Sequence, residues 1–191
     1  MEDIRDRILS AAARVYAESG FRGATTRRVA QEARVNEITL FRHFGTKEAL
    51  VKAALKAIGH GVPTLPREAQ DPQAELTDWA LSVYRHWYQN RGLVSQVLGD
   101  LAEHPELAPD ICEEPGCEHA VLSGYLEHLR ERGDAARPFI ADAAAGLLLG
   151  GIFTHALLRD HFETPELPPV EEVIHQFVGL LLGAIGVESG K

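Results

Sequence analysis

Apolar side chains recur every three or four residues along most of this 191-residue chain, and no stretch alternates apolar and polar residues as a half-buried strand does. That spacing places the apolar residues on one face of a helix, where they can be buried against other helices. Glycines and prolines divide the pattern into segments of helical length. The sequence therefore predicts an all-α protein.

Four short helical patterns occupy the N-terminal part of the chain. The first ends near Gly20, the second is capped by Thr25 or Thr26, and the third is capped by Asn36. Two short helices joined by a tight turn, with a helix on either side, form the arrangement that presents a helix to the major groove of DNA. We therefore predict a tri-helical helix-turn-helix DNA-binding domain over residues 1–58.

Glycines and prolines after the fourth pattern mark the clearest boundary in the chain, and we assign residues 59–191 to a second α-helical domain. Its periodicity predicts helices near residues 74–90, 93–103, 116–132, 138–161 and 169–187. The last two are apolar around most of their circumference. A monomer this small cannot cover both, so we expect them to form a four-helix bundle with a second copy, the alternative being a purely intramolecular core.

The net charge of −9 conceals two regions of opposite sign. The first 60 residues hold eleven Lys and Arg against seven acids, a formal charge of +4, which leaves −13 for the rest. A basic N-terminal region favours a polyanionic partner, and an acidic remainder favours solubility. The charge distribution therefore agrees with a nucleic-acid partner for the N-terminal domain.

Neither the longest apolar stretch nor the first residues of the chain indicate a membrane protein. The longest nearly apolar stretch, residues 143–158, contains Thr154 and His155 and is shorter than the roughly 18 residues of a membrane span. The first six residues are acidic and are not followed by the apolar segment of a secretory signal. We expect a cytoplasmic protein without membrane contact.

The two cysteines, Cys112 and Cys117, lie close to His119 in a segment that also contains proline and glycine. With His104 they could be imagined as a metal site, or alone as an oxidant-sensing thiol pair. Their spacing is not that of a standard zinc finger, which favours an exposed loop. We predict no metal and no cofactor, and a redox or metal role for the cysteines stays open.

The segment from Thr25 to Leu50, TTRRVAQEARVNEITLFRHFGTKEAL, closely resembles the signature of the TetR/AcrR family of transcriptional regulators. The resemblance extends over roughly the first 58 residues. It implies a homodimer that binds a palindromic operator in double-stranded DNA and is released by a small-molecule effector, most commonly a repressor. It leaves the effector, the operator sequence, the regulated genes and the direction of regulation open.

The resemblance and the side-chain chemistry predict ten DNA-contacting residues. They are Thr26, Arg27, Arg28, Glu37, Ile38, Thr39, Phe41, Arg42, His43 and Lys47. The resemblance implies that the threonines, the histidine and the lysine in this set bind phosphates. It also implies that Arg27 reads a base edge, and a guanidinium can bind guanine O6 and N7 together.

Glu37 and Ile38 stand at the start of the third helix, where they can meet base edges. A glutamate can accept a hydrogen bond from cytosine, and an isoleucine can contact a thymine methyl group. Arg28 and Arg42 can reach the backbone or the bases.

Two residues depart from the family pattern. Arg34 replaces the usual glycine of the turn, so it must tolerate whatever backbone the turn requires, including a positive φ that costs about 1 kcal/mol. Phe41 replaces the usual tyrosine and can pack against a sugar, but it cannot donate to a phosphate.

Aromatic and aliphatic residues at helical spacing in the second domain form a candidate effector pocket. They are Trp79, Val83, Trp87, Tyr88, Leu122 and Tyr125. Such a stripe is equally compatible with a simple core, and the sequence leaves both interpretations open.

Two other classes of function are alternatives to a regulator. An enzyme is disfavoured because the sequence has no G-x-S-x-G, H-E-x-x-H, P-loop or dinucleotide fingerprint. An architectural or protein-binding helical module stays possible, and it would show no preference for palindromic DNA.

Overall fold

The computed structural model describes residues 3–59, 62–101, 103–105, 117–161 and 167–187. The α-helices in this part of the chain are α1 (Ile4–Gly23), α2 (Thr26–Glu32), α3 (Glu37–Phe44), α4 (Lys47–Gly59), α5 (Pro72–Gln89), α6 (Arg91–Asp100), α7 (Glu118–Arg132), α8 (Ala141–Leu158) and α9 (Val170–Ile185). A short 3₁₀ helix, Arg159–His161, follows α8. The described residues contain no strand, which confirms the all-α prediction.

The chain forms two compact units, which differ from the predicted domains in one respect. The first unit comprises Met1–His60 together with Asn90–Ile111, and the second comprises the remainder. Helix α6, which the sequence placed in the second domain, thus returns to the first. Its apolar stripe explains the difference, because Leu93 is buried in the core of the first unit and Val97 and Leu101 pack against that core.

Local capping interactions set the helix boundaries in the first unit. Thr25 is the N-cap of α2, where its hydroxyl accepts the N–H of Arg28 at 3.2 Å. Asn36 caps α3 by accepting the N–H of Ile38 at 2.9 Å, as predicted. These interactions satisfy amide groups that lack partners within the helix.

Three described residues of the first unit, Gly20, Arg34 and Gly45, have a positive φ. Gly20 has φ 64° and interrupts α1, three residues before the end of that helix. Arg34, in the turn between α2 and α3, has φ 55°, as anticipated from the missing glycine. A side chain strains the backbone in this region, so the turn carries a local energetic cost.

The core of the second unit lies between α5, α7, α8 and α9. Each helix contributes fully buried residues, for example Leu76, Leu126, Ile152 and Ile174, respectively. The segment Ala141–His161 is long and apolar enough to cross a membrane by length and composition alone. One of its faces belongs to this core. Another face exposes Leu147, which is 74% accessible, so the helix is apolar on both its buried and its exposed sides.

Candidate nucleic-acid interface

Helix α3 has one buried face and one exposed face. Leu40 is fully buried in the core of the first unit, which anchors the helix. Ile38 is 76% exposed and Phe41 45% exposed, and both belong with the exposed Arg42 to one face because they stand at positions i, i+3 and i+4. This recognition face, Ile38, Phe41 and Arg42, offers apolar contacts and a guanidinium to an external partner.

The two arginines of α2 have different surroundings. Arg28 is paired with Glu18 of α1 at 2.6 Å, and a second pair, Arg14 with Glu32, also joins α1 to α2. Arg27 is exposed, and its guanidinium makes no hydrogen bond or ion pair with the described residues. Of the two, Arg27 is therefore the one whose guanidinium is available without first breaking an ion pair.

The first residues of α2 and α3 are joined by a side-chain hydrogen bond. Thr26 Oγ1 donates to Glu37 Oε1 at 2.5 Å, and both side chains are half-buried. The sequence separately predicted a phosphate contact for Thr26 and a base contact for Glu37. It contained no signal that the two side chains would be partners.

The predicted phosphate-binding residues of α3 and α4 differ in their surroundings. Thr39 and His43 stand one turn apart on α3, where His43 is exposed and Thr39 half-buried. Lys47 Nζ lies 4.2 Å from the centre of the Phe21 ring. Burial lowers the pKa of Lys47, although the carboxylates of Glu48 and Asp100 partly oppose the shift. The lysine is therefore held on an aromatic surface.

Asp100, at the end of α6, completes this part of the first unit and was not anticipated from the sequence. Its carboxylate accepts the N–H of Phe21 at 2.8 Å, just after the break in α1 at Gly20. Burial disfavours the charged carboxylate, but the hydrogen bonds from the Phe21 N–H and the Gln96 side chain help to lower the pKa of Asp100 below its usual value. The returning helix is thus fastened to α1 through a charged acceptor.

Comparison with known proteins identifies the family. Residues 8–54 match the model of bacterial regulatory proteins of the tetR family. The HTH-type transcriptional regulator UidR of Escherichia coli K12 is 37% identical over 159 residues, which cover 82% of this chain and 80% of UidR. The chain belongs to the TetR family. It is accordingly a transcriptional regulator with a DNA-binding domain at its N-terminus, which confirms the resemblance of the Thr25–Leu50 segment.

Solved structures extend the likeness to the second unit of the regulator. A TetR-family regulator from Rhodococcus sp. superposes with a TM-score of 0.73 at 20% identity, over the whole of both chains. GusR of Salmonella enterica gives a TM-score of 0.70 at 22% identity, over 95% of each chain. At these identities the match confirms the fold.

Four of the six predicted effector-contacting residues of the regulator are buried. Val83 and Leu122 are fully inaccessible. Trp79 donates from Nε1 to the carbonyl of Pro63 at 2.9 Å. Tyr125 donates from its hydroxyl to Glu75 at 2.5 Å. These contacts make the four residues part of the core of the second unit as it stands.

The other two predicted effector-contacting residues, Trp87 and Tyr88, are half-buried near the end of α5. The Trp87 ring packs edge-on against Phe153 of α8, and the Tyr88 hydroxyl donates to Asp160 at 3.0 Å. The second unit also carries open pockets of about 440 Å³ and 320 Å³. Tyr125 borders the smaller pocket, so only this predicted residue touches either of them.

The cysteine segment is only partly described. Cys112 lies outside the described residues. Cys117 caps α7, where its sulfur accepts the N–H of Ala120 at 3.4 Å. His119 Nε2 lies 3.2 Å from the carbonyl oxygen of Asp142. Cys117 thus has a structural contact within α7, and His119 has one with α8.

Proposed function

We propose that this TetR-family regulator is a cytoplasmic repressor that binds a palindromic operator as a homodimer and is released by a small-molecule effector. The observation that carries the proposal is the recognition face of α3. An exposed isoleucine and phenylalanine that share one face of a helix anchored through Leu40 support the presence of an interaction surface there. The positive charge of the first 60 residues favours DNA as that partner.

Each of these side chains can make a specific contact with DNA. Arg27 can bind guanine O6 and N7 through two parallel hydrogen bonds, and Ile38 can contact a thymine methyl group. Phe41 and Arg42 lie on the same face of α3 and can contact the sugar-phosphate backbone. Lys47 can neutralise a phosphate once the ammonium group leaves the Phe21 ring, which is a short movement of a flexible side chain.

The homodimer is proposed to form through α8 and α9. Leu147 is 74% exposed and Leu180 is 70% exposed, which is unusual for leucines in the middle of helices. Gly150 and Gly183 on the same two helices are exposed and have open space where a side chain would be, so a second backbone can approach closely. A two-fold axis through this surface relates two copies of the DNA-binding unit, as an inverted repeat requires.

The effector is proposed to bind in the second unit near Trp87 and Tyr88. These two aromatic side chains are partly accessible as they stand, whereas Trp79 is buried in the core. An effector that binds one arrangement of this unit more tightly than another shifts the population of the DNA-binding form. These half-buried aromatic side chains therefore support a flat, largely apolar compound.

The DNA-binding part of the proposal is tested by binding titrations with two variants. The operator is first selected from random double-stranded DNA with the full-length dimer. Arg27→Ala should lower discrimination at one base pair about tenfold and leave the salt dependence nearly unchanged. Lys47→Ala should weaken binding to every sequence and reduce the slope of log K against log salt by about one per protomer. Identical behaviour of the two variants would contradict the assignment.

The effector site is tested with the two tryptophans of the chain, which lie at different depths. A compound that releases the operator should quench the fluorescence of Trp87, so the change should persist in Trp79→Phe and disappear in Trp87→Phe. The opposite pattern would place the compound in the core beside Trp79. No change in either variant would remove this region as the effector site.

A further inference from the structure

The hydrogen bond between Thr26 and Glu37 gives these residues a joint role, and the inference rests on the proposed DNA-binding function. Thr26 Oγ1 lies 2.5 Å from Glu37 Oε1, so the hydroxyl donates to the carboxylate. The two residues are 11 positions apart and occupy the first positions of α2 and α3. The bond therefore fixes the start of the exposed helix to the helix that precedes it.

This bond conflicts with the phosphate contact predicted for Thr26. A threonine hydroxyl has a single hydrogen, and the hydrogen bonded to Glu37 cannot also be donated to a phosphate. A phosphate placed at Thr26 would also lie beside the Glu37 carboxylate, which would repel it. The geometry therefore favours a different role for Thr26, which is to position the Glu37 carboxylate.

A positioned carboxylate discriminates between bases. Glu37 is engaged at Oε1, and Oε2 makes no hydrogen bond with any described residue. In the major groove cytosine presents an amino donor, adenine presents an amino donor beside an acceptor, and guanine and thymine present acceptors that a carboxylate repels. The expected preference is therefore cytosine, then adenine, with guanine and thymine disfavoured.

We propose that Thr26 and Glu37 form one base-reading pair, in which Thr26 holds the Glu37 carboxylate so that its second oxygen accepts from the amino group of a cytosine. Thr26 is then a positioning residue and Glu37 the residue that contacts the base. Ile38 stands next to Glu37 on the exposed start of α3, where it can contact an adjacent base. The pair adds a polar selection to the apolar and guanidinium contacts of the recognition face.

The proposal is tested by competition titrations of the full-length dimer against operators that carry each base pair at each half-site position. The wild-type protein should prefer cytosine over guanine or thymine at one position by about five- to tenfold. Glu37→Gln should switch that position to adenine, because an amide can bind adenine N6 and N7 together. Thr26→Val, which keeps the shape and removes the hydroxyl, should reduce the cytosine preference about threefold. Thr26→Ser should restore it.

Two outcomes would overturn the pair. Thr26→Val could weaken binding to every operator by one common factor, which would make Thr26 a phosphate donor. Glu37→Gln could leave the base preference unchanged and only lower the thermal midpoint, which would make Glu37 a helix-stabilising acid. Failure of the proposed DNA-binding function would give a different result, because the wild-type protein would then show no preference among the operators at all. That result would also contradict the Thr26–Glu37 pair.

Discussion

The two units of the molecule each contain a carboxylate with a lowered pKa beside a buried tyrosine with a raised one. In the first unit Asp100 lies beside Tyr16, and in the second Glu75 lies beside Tyr125. Both acids accept backbone N–H groups where a helix is interrupted or begins. A single partly buried carboxylate can thus satisfy several donors that regular helices leave unpaired.

The difference between the two acids lies in what they join. Asp100 connects α6 to α1 across 79 residues of sequence, and so holds a returning segment within the DNA-binding unit. Glu75 accepts from Gln70 and Asp71 just before its own helix, and from Tyr125 of α7. The first acid therefore adds a polar link to a returning helix that apolar packing also holds, whereas the second stabilises a helix start within its own core.

The largest effect is expected from a change confined to the second unit. Leu180→Glu places a charge on the exposed apolar surface of α9 and should convert the proposed dimer to monomers, because an unpaired charge cannot be buried in a self-complementary interface. Operator affinity should fall about 100-fold or more, since the two half-sites are no longer bound together. Sedimentation velocity and DNA titration measure the two effects.

Another exposed leucine, in the first unit, provides the control for this prediction. Leu98 of α6 is 48% exposed, and Leu98→Glu should leave the protein dimeric. Dissociation of both variants would show that the change acts through general destabilisation. A dimeric Leu180→Glu would remove α9 from the proposed interface.

The next effect concerns the acid of the first unit. Asp100→Ala leaves the Phe21 N–H without its acceptor and should lower the free energy of unfolding by about 2 kcal/mol. The exposed pair Arg22–Glu103 is the control, because Glu103→Gln should change stability by less than about 0.5 kcal/mol. Urea denaturation of the three proteins gives the comparison. Equal losses of unfolding free energy in both variants would mean that the burial of the Asp100 carboxylate adds nothing to its contribution.

The pH dependence of the same acid has a defined sign. The folded pKa of Asp100 is lowered, so its contribution is complete above the unfolded value of about 3.9 and is lost as the pH falls through the folded value. The stability difference between the wild type and Asp100→Asn should therefore stay nearly constant from pH 7 down to about 4 and shrink as the pH falls below the unfolded value. A difference that does not shrink at about pH 2–3, below the unfolded value, would contradict the charged state of Asp100.

The sequence predicted the helices of the first unit well because their signals are local. A cap residue and the amide it accepts are two or three positions apart, as for Thr25 with Arg28 and Asn36 with Ile38. The contact between Asp100 and Phe21 and the membership of α6 depend on packing between distant segments, which periodicity does not specify. The pairing of Thr26 with Glu37 was missed for the same reason.

The second unit shows the corresponding limit for a binding site. Its five-helix pattern predicted the positions of α5, α7, α8 and α9 to within about three residues. The same periodicity could not say whether Trp79 or Leu122 lines a cavity or fills the core, because both arrangements require an apolar side chain on the inner face of a helix. The position of an effector pocket depends on how several helices leave space between them.

The acid of the second unit offers a smaller and separable effect. Tyr125→Phe removes one donor from Glu75 and leaves the two backbone donors, so the free energy of unfolding should fall by about 1 kcal/mol. Tyr88→Phe is the matched control, because its hydroxyl bonds to Asp160 in a more exposed position and its loss should cost less. Thermal or urea unfolding measures both. A larger loss from Tyr88→Phe would reverse the ranking of the two tyrosines.

The smallest predicted effect is a gain in stability in the turn of the first unit. Arg34 has φ 55°, a conformation that glycine adopts without steric cost, so Arg34→Gly should raise the free energy of unfolding by about 0.5–1 kcal/mol despite the greater chain entropy of glycine in the unfolded state. Arg34→Ala removes the same side chain but keeps the strain, and it should have almost no effect. If alanine stabilises the protein as much as glycine does, the cost at this position comes from the arginine charge among its basic neighbours, and the turn is not strained.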